Sequence, residues 1–354
     1  MIDRQAVPHP ELSIVIVNWN GGKLLRRCVE SIVSSGCKTT FEVVVIDNAS
    51  ADDSVALLQS NTAASSLISN GQLRIIRNSE NVGFGSANNQ GFAITDSPFL
   101  FLLNPDAEVR AGAIDKLLET IRSDTKIGGC GPKILNTDGS IQASVYFNPP
   151  TAWYTFLWQL KLYLLLPQRI RGEILLGRHW NHNRKRDVPM LIGAALLVRR
   201  EMIDQVGGFD ERFHMYGEDN EWCWRIKQAG WRLVFEPTVE VVHDSGQSAT
   251  KRWSKEEKIR TQLESEFQFE QMALSKWGLF ANQMANYLVV SAQIGARRMR
   301  SVTVPERGLA DPELLLLKQI HSQNLKRSWK SENRDGSVTE SDRAHRGISA
   351  EKQR

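Results

Sequence analysis

The chain has 354 residues, 41% hydrophobic and 24% charged. This ordinary globular composition excludes wholesale disorder and allows one large domain or two modest ones. Lys and Arg number 44 against 40 Asp and Glu, a net charge of +4, too even a balance to mark a nucleic-acid binder. The four cysteines, Cys28, Cys37, Cys130 and Cys223, lack CxxC spacing, which argues against a zinc ribbon or a disulfide scaffold.

The opening MIDRQAVPHPELS has no apolar core and no small-residue cleavage site, so no signal peptide is expected. The longest uncharged apolar runs are SIVIV, FLFLL and MLIGAALLV. Each falls short of the roughly 20 residues that span a bilayer. Trp153 to Leu166 is apolar, but Gln159 and Lys161 interrupt it and Pro167 ends it. An integral membrane protein is therefore not expected.

Residues 12–17 (LSIVIV) are a β-branched run suited to a strand buried on both faces. NWNGG makes a loop, and Lys23 to Ser34 has helical spacing. Residues 41–46 give a second strand ending at Asp47. A turn then feeds a helix, with Asp52 or Asp53 near its cap. Leu73 to Arg77 is a third strand. Gly83 to Ile94 is loop then helix, and residues 99–103 are a fourth strand that ends in Asn104-Pro105-Asp106. A helix follows from about Gly112 to Arg122. Strand and helix alternating at this pitch predict a mostly parallel α/β sheet. Ligands bind beyond the carboxyl ends of such strands, where this chain puts Asn18, Asp47, Asn78, Asn104 and Asp106.

The pattern then changes. Residues 128–147 suggest an irregular strand region with a turn at Asp138-Gly139, and 150–187 an aromatic, amphipathic insertion ending in the basic NRKR. A strand or buried segment at 190–198 and a short helix from Glu201 to Val206 follow. Asp219 to Gln228 is the next helix, and two strands flank Pro237 with His243 at the exit. Residues 256–300 have helical periodicity, and 322–354 have the composition of a disordered tail.

Asp47, Asp106, Glu218, Asp219 and His243 are the candidate chemical groups. A strand-end carboxylate can bond a nucleobase or hold a divalent cation, and Mg²⁺ commonly takes only one or two carboxylates beside substrate phosphates. Each group also has a plainer explanation. Asp47 suits an Asx-turn, Asn104-Pro105-Asp106 is good turn chemistry, and acids at a helix start favour its dipole. NVGFGSANNQG lacks GxGxxG spacing and follows the third strand, so it is not a dinucleotide fingerprint.

In order, the chain carries SIVIVNWNG, VVVIDNASADDS, NSENVGFGSANNQG, FLLNPDA, GPKILNTDGS, GAALLVRR and GGFDERFHMYGEDNEWCWRIKQAGW, then His243. Over about residues 11–250 it resembles inverting family 2 glycosyltransferases with the GT-A fold, especially the rhamnosyltransferase-like group of cell-surface polysaccharide synthesis. The resemblance implies a GT-A domain over 1–250, with the 150–187 insertion near the acceptor side, and a helical region over 251–321. It implies that Asn18 and Asp47 contact the base, and that Asn20, Asn81, Gly83, Asn88 and Asn104 surround the donor. Asp106 and His243 would serve a Mg²⁺ or Mn²⁺ ion, with Asn104 standing where the general motif has an acid. Asp219 would be the catalytic base, with Glu218 beside it. At the usual pKa of about 4 such a carboxylate is ionised at pH 7. QxxRW is absent, which implies single addition rather than polymerisation.

The implied donor is a nucleotide-diphospho-sugar, dTDP-L-rhamnose first, with UDP-GlcNAc, UDP-Gal, UDP-Glc and GDP-sugars as alternatives. The implied acceptor is lipid-linked or a polysaccharide. A catalytically inactive nucleotide- or glycan-binding homologue is the remaining alternative. Aromatic and basic residues in 150–187 and 277–300 suit peripheral contact with an anionic membrane at its cytoplasmic face, or a homodimer.

Overall fold

The computed structural model describes residues 9–145, 152–213, 216–244, 254–303 and 312–330. They fall into two units. Among them, the first contains 9–145, 172–213 and 216–244, and the second contains 152–171, 254–303 and 312–330.

In the first unit, β1 (Leu12–Asn18), β2 (Phe41–Asp47), β3 (Leu73–Arg77) and β4 (Phe99–Leu103) pair in parallel in the order β3-β2-β1-β4. All seven β1 residues are buried. Leu12, Ile14 and Ile16 enter one core, shared with Leu25, Val29 and Ile32 of α1 (Lys23–Ser34). Val15 points into the other, with Phe92 of α4 (Phe84–Ala93). Helices on both faces explain why β1 is a continuous apolar run rather than an alternating one. The helix α2 (Ser54–Gln59) is capped by Asp52, whose Oδ1 accepts from Ser54 N at 3.1 Å, while Asp53 occupies the N-cap position without a side-chain bond. α3 (Thr62–Ser69) completes the crossover to β3.

Beyond β4 the sheet is mixed. It continues through β8 (Ala195–Arg199), β6 (Ile127–Leu135), β9 (Arg232–His243) and β5 (Ala107–Val109), with β7 (Arg186–Asp187) also on β9. β8 is antiparallel to β4 and β6, and β6 is parallel to β9. α5 (Ala113–Arg122) packs on this half. β8 starts at Ala195, later than the expected 190, because Gly193 gives its N–H to a side chain rather than to a ladder. The two strands expected around Pro237 are one, β9. Its register against β6 shifts between Pro132↔Glu236 and Lys133↔Glu240. A proline has no N–H to donate, so the ladder skips Pro237 without ending. The turn at 136–140 forms as expected, with Gly139 at φ 81°. α8 (Arg200–Val206) and α9 (Glu218–Gln228) follow, α9 entered through Gly217 at φ 89°.

The second unit holds α6 (Ala152–Gln159), α10 (Lys255–Ala273), α11 (Lys276–Thr303) and α12 (Pro312–Lys330). α7 (Gln168–Leu175) contributes its first half here, so the expected insertion divides between Arg171 and Gly172. The helix expected over 256–300 is two helices, broken where Leu274 is extended (φ −109°, ψ 149°). Ser254 and Glu257 cap α10 reciprocally. α12 runs through the tail boundary expected at 322, because Ile320, His321, Asn324 and Ser328 are buried. Residues 331–354, the rest of the expected tail, lie outside the described residues, as do the side chains of Met299 and Arg300.

Candidate active site

Asn18 and Asp47 are register partners at the ends of β1 and β2. Asn18 is fully buried, and its Nδ2 donates among Asp47 Oδ1 (2.8 Å), Ser54 Oγ (2.9 Å) and Ser50 Oγ (3.0 Å). Ser50 Oγ also donates to Asp47 Oδ1 at 2.6 Å. Asp47 thus carries its bonds on Oδ1, and the Asx-type contact three residues on coexists with a second carboxylate oxygen. Gly21 must lack a side chain here, since a Cβ would collide with Asn18 Oδ1. Asn20, at φ 51°, accepts from Ala51 N at 2.8 Å and pins the first loop to the second.

Asn48, only 2% exposed, organises the neighbouring loop. Its Nδ2 donates to Asn81 Oδ1 (3.0 Å) and Gly83 O (3.1 Å), and its Oδ1 accepts from Asn78 Nδ2 and Val82 N (both 3.1 Å). Asn81 Oδ1 also accepts from Gly83 N. Asn88 is buried inside α4, with Nδ2 on Phe84 O at 3.0 Å. Asn81, Gly83 and Asn88 therefore shape the loop and helix start through internal bonds.

On the next strand, Asp106 Oδ1 and Asn104 Nδ2 each lie 3.2 Å from His243 Nε2. Ala107↔His243 is the first pair of the β5–β9 ladder, so the backbone sets this approach. Gln142 Oε1 lies 2.8 Å from His243 Nδ1, and Gln142 Nε2 donates to Asn136 Oδ1 at 2.9 Å. The second bond orients the Gln142 amide so that Nδ1–H donates to its oxygen, which leaves Nε2 facing Asp106 and Asn104. One carboxylate and one imidazole aimed at a common point fit a cation that takes its other ligands from phosphate and water. Among the described residues no group of three or more His, Cys, Asp or Glu is placed to hold a metal by itself.

Glu218 and Asp219 open α9. Asp219 Oδ2 accepts from Gly193 N at 3.0 Å, while Asp219 Oδ1 and Glu218 Oε2 are buried with no hydrogen-bond partner among the described residues. Burial pushes the Asp219 carboxyl up to about 6, with the Gly193 N–H acting in the opposite direction. Burial, reinforced by the charge of Asp219, pushes Glu218 up to about 8. The ordinary carboxylate value expected for Asp219 is therefore corrected upward. The two halves of the site, far apart in sequence, are joined at the ends of β4 and β8: Asn104 N donates to Ala194 O at 2.9 Å, and Gly193 is the next residue back. Phe84, at the start of α4, lies against Gly193.

Behind the acids, Trp222 Nε1 donates to Gly207 O, and Arg225 Nη2 donates to Gly208 O and Glu221 Oε2. Asn89 of α4 bonds both N and O of Phe209. These contacts brace residues 207–213 from both sides. His214 and Met215 lie outside the described residues.

Sequence reasoning missed Asn48, Gln142 and Gly193. Asn48 stands beside Asp47 in a polar loop and could have been weighed with it. Gln142 lies 101 residues from His243 and has no motif around it.

The family model described as Glycosyl transferase family 2 matches residues 13–207. An N-acetylglucosaminyl-diphospho-decaprenol L-rhamnosyltransferase of Mycobacterium tuberculosis is 29% identical over 263 residues, covering 67% of this chain and 77% of that protein. A pre-mycofactocin glycosyltransferase of the same species is 30% identical over 241 residues, covering 67% of this chain and 43% of that protein. Among solved structures, that of GalNAc-T7 with UDP, GalNAc and Mn²⁺ superposes with a TM-score of 0.53 at 19% identity, covering 89% of this chain and 55% of that one. The mixed, mostly parallel sheet with its flanking helices is thus a GT-A-like fold, and the matched residues run from β1 through α8. On these grounds the chain is an enzyme of glycosyl transferase family 2.

Proposed function

We propose that this enzyme transfers L-rhamnose from dTDP-L-rhamnose to a hydroxyl of a lipid-linked or polysaccharide acceptor, with inversion at the anomeric carbon. The observation that carries the reading is the buried acid pair Glu218–Asp219, held by Gly193 next to the Asn104–Asp106–His243 cluster. The rhamnosyl choice is supported by the likeness to the mycobacterial rhamnosyltransferase, whose name also specifies a lipid-diphosphate acceptor.

In this reading Asp47 meets the nucleobase through the carboxylate oxygen that Asn18 and Ser50 leave free, and the fully buried Asn18, expected to contact the base, instead holds that carboxylate in place. Asp106 and His243 would hold a Mg²⁺ or Mn²⁺ ion. When bound, that ion supplies positive charge to the departing diphosphate. Asp219 is the general base. Burial raises both carboxyls, and the charge of Asp219 raises Glu218 further, so Asp219 is the acid of the pair that favours the ionised form and, being raised, it is a stronger base than an ordinary carboxylate. Attack from the face opposite the leaving diphosphate inverts the centre. A lipid-linked acceptor would bring the enzyme to a membrane surface, and no helix among the described residues is long and apolar enough to cross one.

Calorimetric titration with a panel of nucleotide sugars, with Mg²⁺ or Mn²⁺ and with EDTA, tests the reading. Selective, metal-dependent binding of dTDP-L-rhamnose is expected. Selective binding of a UDP- or GDP-sugar would replace the donor and keep the acid assignment. Binding of none by folded protein would overturn the reading.

A further inference from the structure

The second unit presents apolar side chains that its own core does not use. Trp153 is 70% exposed, Leu160 49%, Leu164 53% and Leu165 83%. They lie on one helix–turn–helix. α6 ends at Gln159, Lys161 adopts the left-handed conformation (φ 55°, ψ 25°), Leu162–Leu165 make a 3-10 turn, and Pro167 precedes α7.

The base of this element is anchored. Tyr163 is buried and stacks on Trp158 at 5.0 Å, and Thr155 Oγ1 donates to Asn282 Oδ1 of α11 at 2.6 Å. The turn's backbone is internally bonded: Lys161 N donates to Trp158 O, Leu164 N to Lys161 O, Leu166 N to Tyr163 O and Arg171 N to Pro167 O. A tip with these amides satisfied can enter an apolar phase without the cost of unpaired N–H groups.

Charge selects the occupant. Residues 148–171 contain Lys161, Arg169 and Arg171 and no Asp or Glu. Among the described residues neither Lys161 nor Arg169 forms an ion pair. Exposed leucines in the turn, an exposed tryptophan on the helix that leads into it and cations without counter-charges match an anionic lipid interface. We propose that residues 160–170, with Trp153, form a docking surface for an anionic bilayer. The surface does not depend on the donor assignment.

Flotation of the full chain with vesicles of phosphatidylcholine, with or without phosphatidylglycerol, tests this. Wild type is expected to float with the anionic vesicles at low salt. The double variant Leu164→Ser/Leu165→Ser should bind roughly tenfold or more weakly. Lys161→Gln and Arg169→Gln should each cost about fivefold, an effect that salt erases. Unchanged circular dichroism and thermal midpoint exclude misfolding. Wild type that stays with the free protein, or variants that float as wild type does, would overturn the proposal. So would a leucine variant whose only effect is to turn a dimer into a monomer in sedimentation equilibrium, since a second copy would then cover the tip. Failure of the donor panel with intact flotation would reject the donor reading and leave this surface standing.

Discussion

Gly193 gives its backbone N–H to Asp219 Oδ2 at 3.0 Å, and a Cβ built on it would lie 2.8 Å from Asp219 Oδ1. The same contact that keeps the carboxylate charged in a buried setting also requires that the residue donating to it have no side chain.

Gly193→Ala should therefore displace the Asp219 carboxylate, with the Phe84 ring, 3.1 Å from the new methyl, blocking the other way out. Turnover should fall about 100-fold, as expected for a misplaced catalytic group. Steady-state kinetics should show the loss in kcat, with donor KM little changed.

Asp219→Asn should keep the fold and donor binding and lower turnover by roughly 10²–10⁴-fold, the weight of a general base. Glu218→Gln should be far milder near pH 7, because glutamine mimics the protonated acid that burial favours there. Near-normal turnover in the aspartate variant, or a loss in the glutamate variant equal to it, would reverse the assignment.

The pH profile follows from the same pair. Asp219 must be ionised to accept a proton, so kcat/KM should fall as pH drops through about 6. The inflection belongs to the acid pair together. Glu218→Gln should keep the acid limb and remove any limb near 8. A flat profile between pH 5 and 7 would contradict a base in this environment.

Gln142→Leu removes the acceptor of His243 Nδ1–H. Loss of such an orienting partner typically weakens metal binding by roughly 10–100-fold. Titrating donor binding against Mn²⁺ should show the shift, while circular dichroism should be unchanged.

Asn48→Ala removes four hydrogen bonds and takes from Val82 N its side-chain acceptor, while Gly83 O keeps Ala87 N and the Asn78 amide keeps Gln90 Oε1. Urea unfolding should show a loss of about 2–4 kcal/mol. A change well below 1 kcal/mol would mean that water replaces the side chain.

The first four strands and α1 were legible because their signal is local. LSIVIV and FEVVVI are β-branched runs long enough for a strand and too short for a helix, and Lys23–Ser34 repeats its apolar residues at helical spacing. Asn18, Asp47 and Asp106 stand out as candidates in the sequence because each ends or closely follows such a run. β9 was less legible, since Pro237 breaks the local pattern while pairing with β6 carries the strand past it. The end of α12 was illegible for a similar reason. Residues 322–330 are polar in composition, and what holds them lies far away in the sequence: Asn324 and Ser328 are buried, and Arg327 pairs with Glu264.

By itself, the sequence determined the α/β order, the polar strand ends and the ordered blocks that mark family 2, because these depend on periodicity and on residues near one another in the chain. The tertiary structure alone decided which polar groups meet. It brought Gln142 to His243, Gly193 to Asp219 and Asn48 to the 78–83 loop. It also raised the pKa of Asp219, since desolvation comes from packing and has no trace in the spacing of residues.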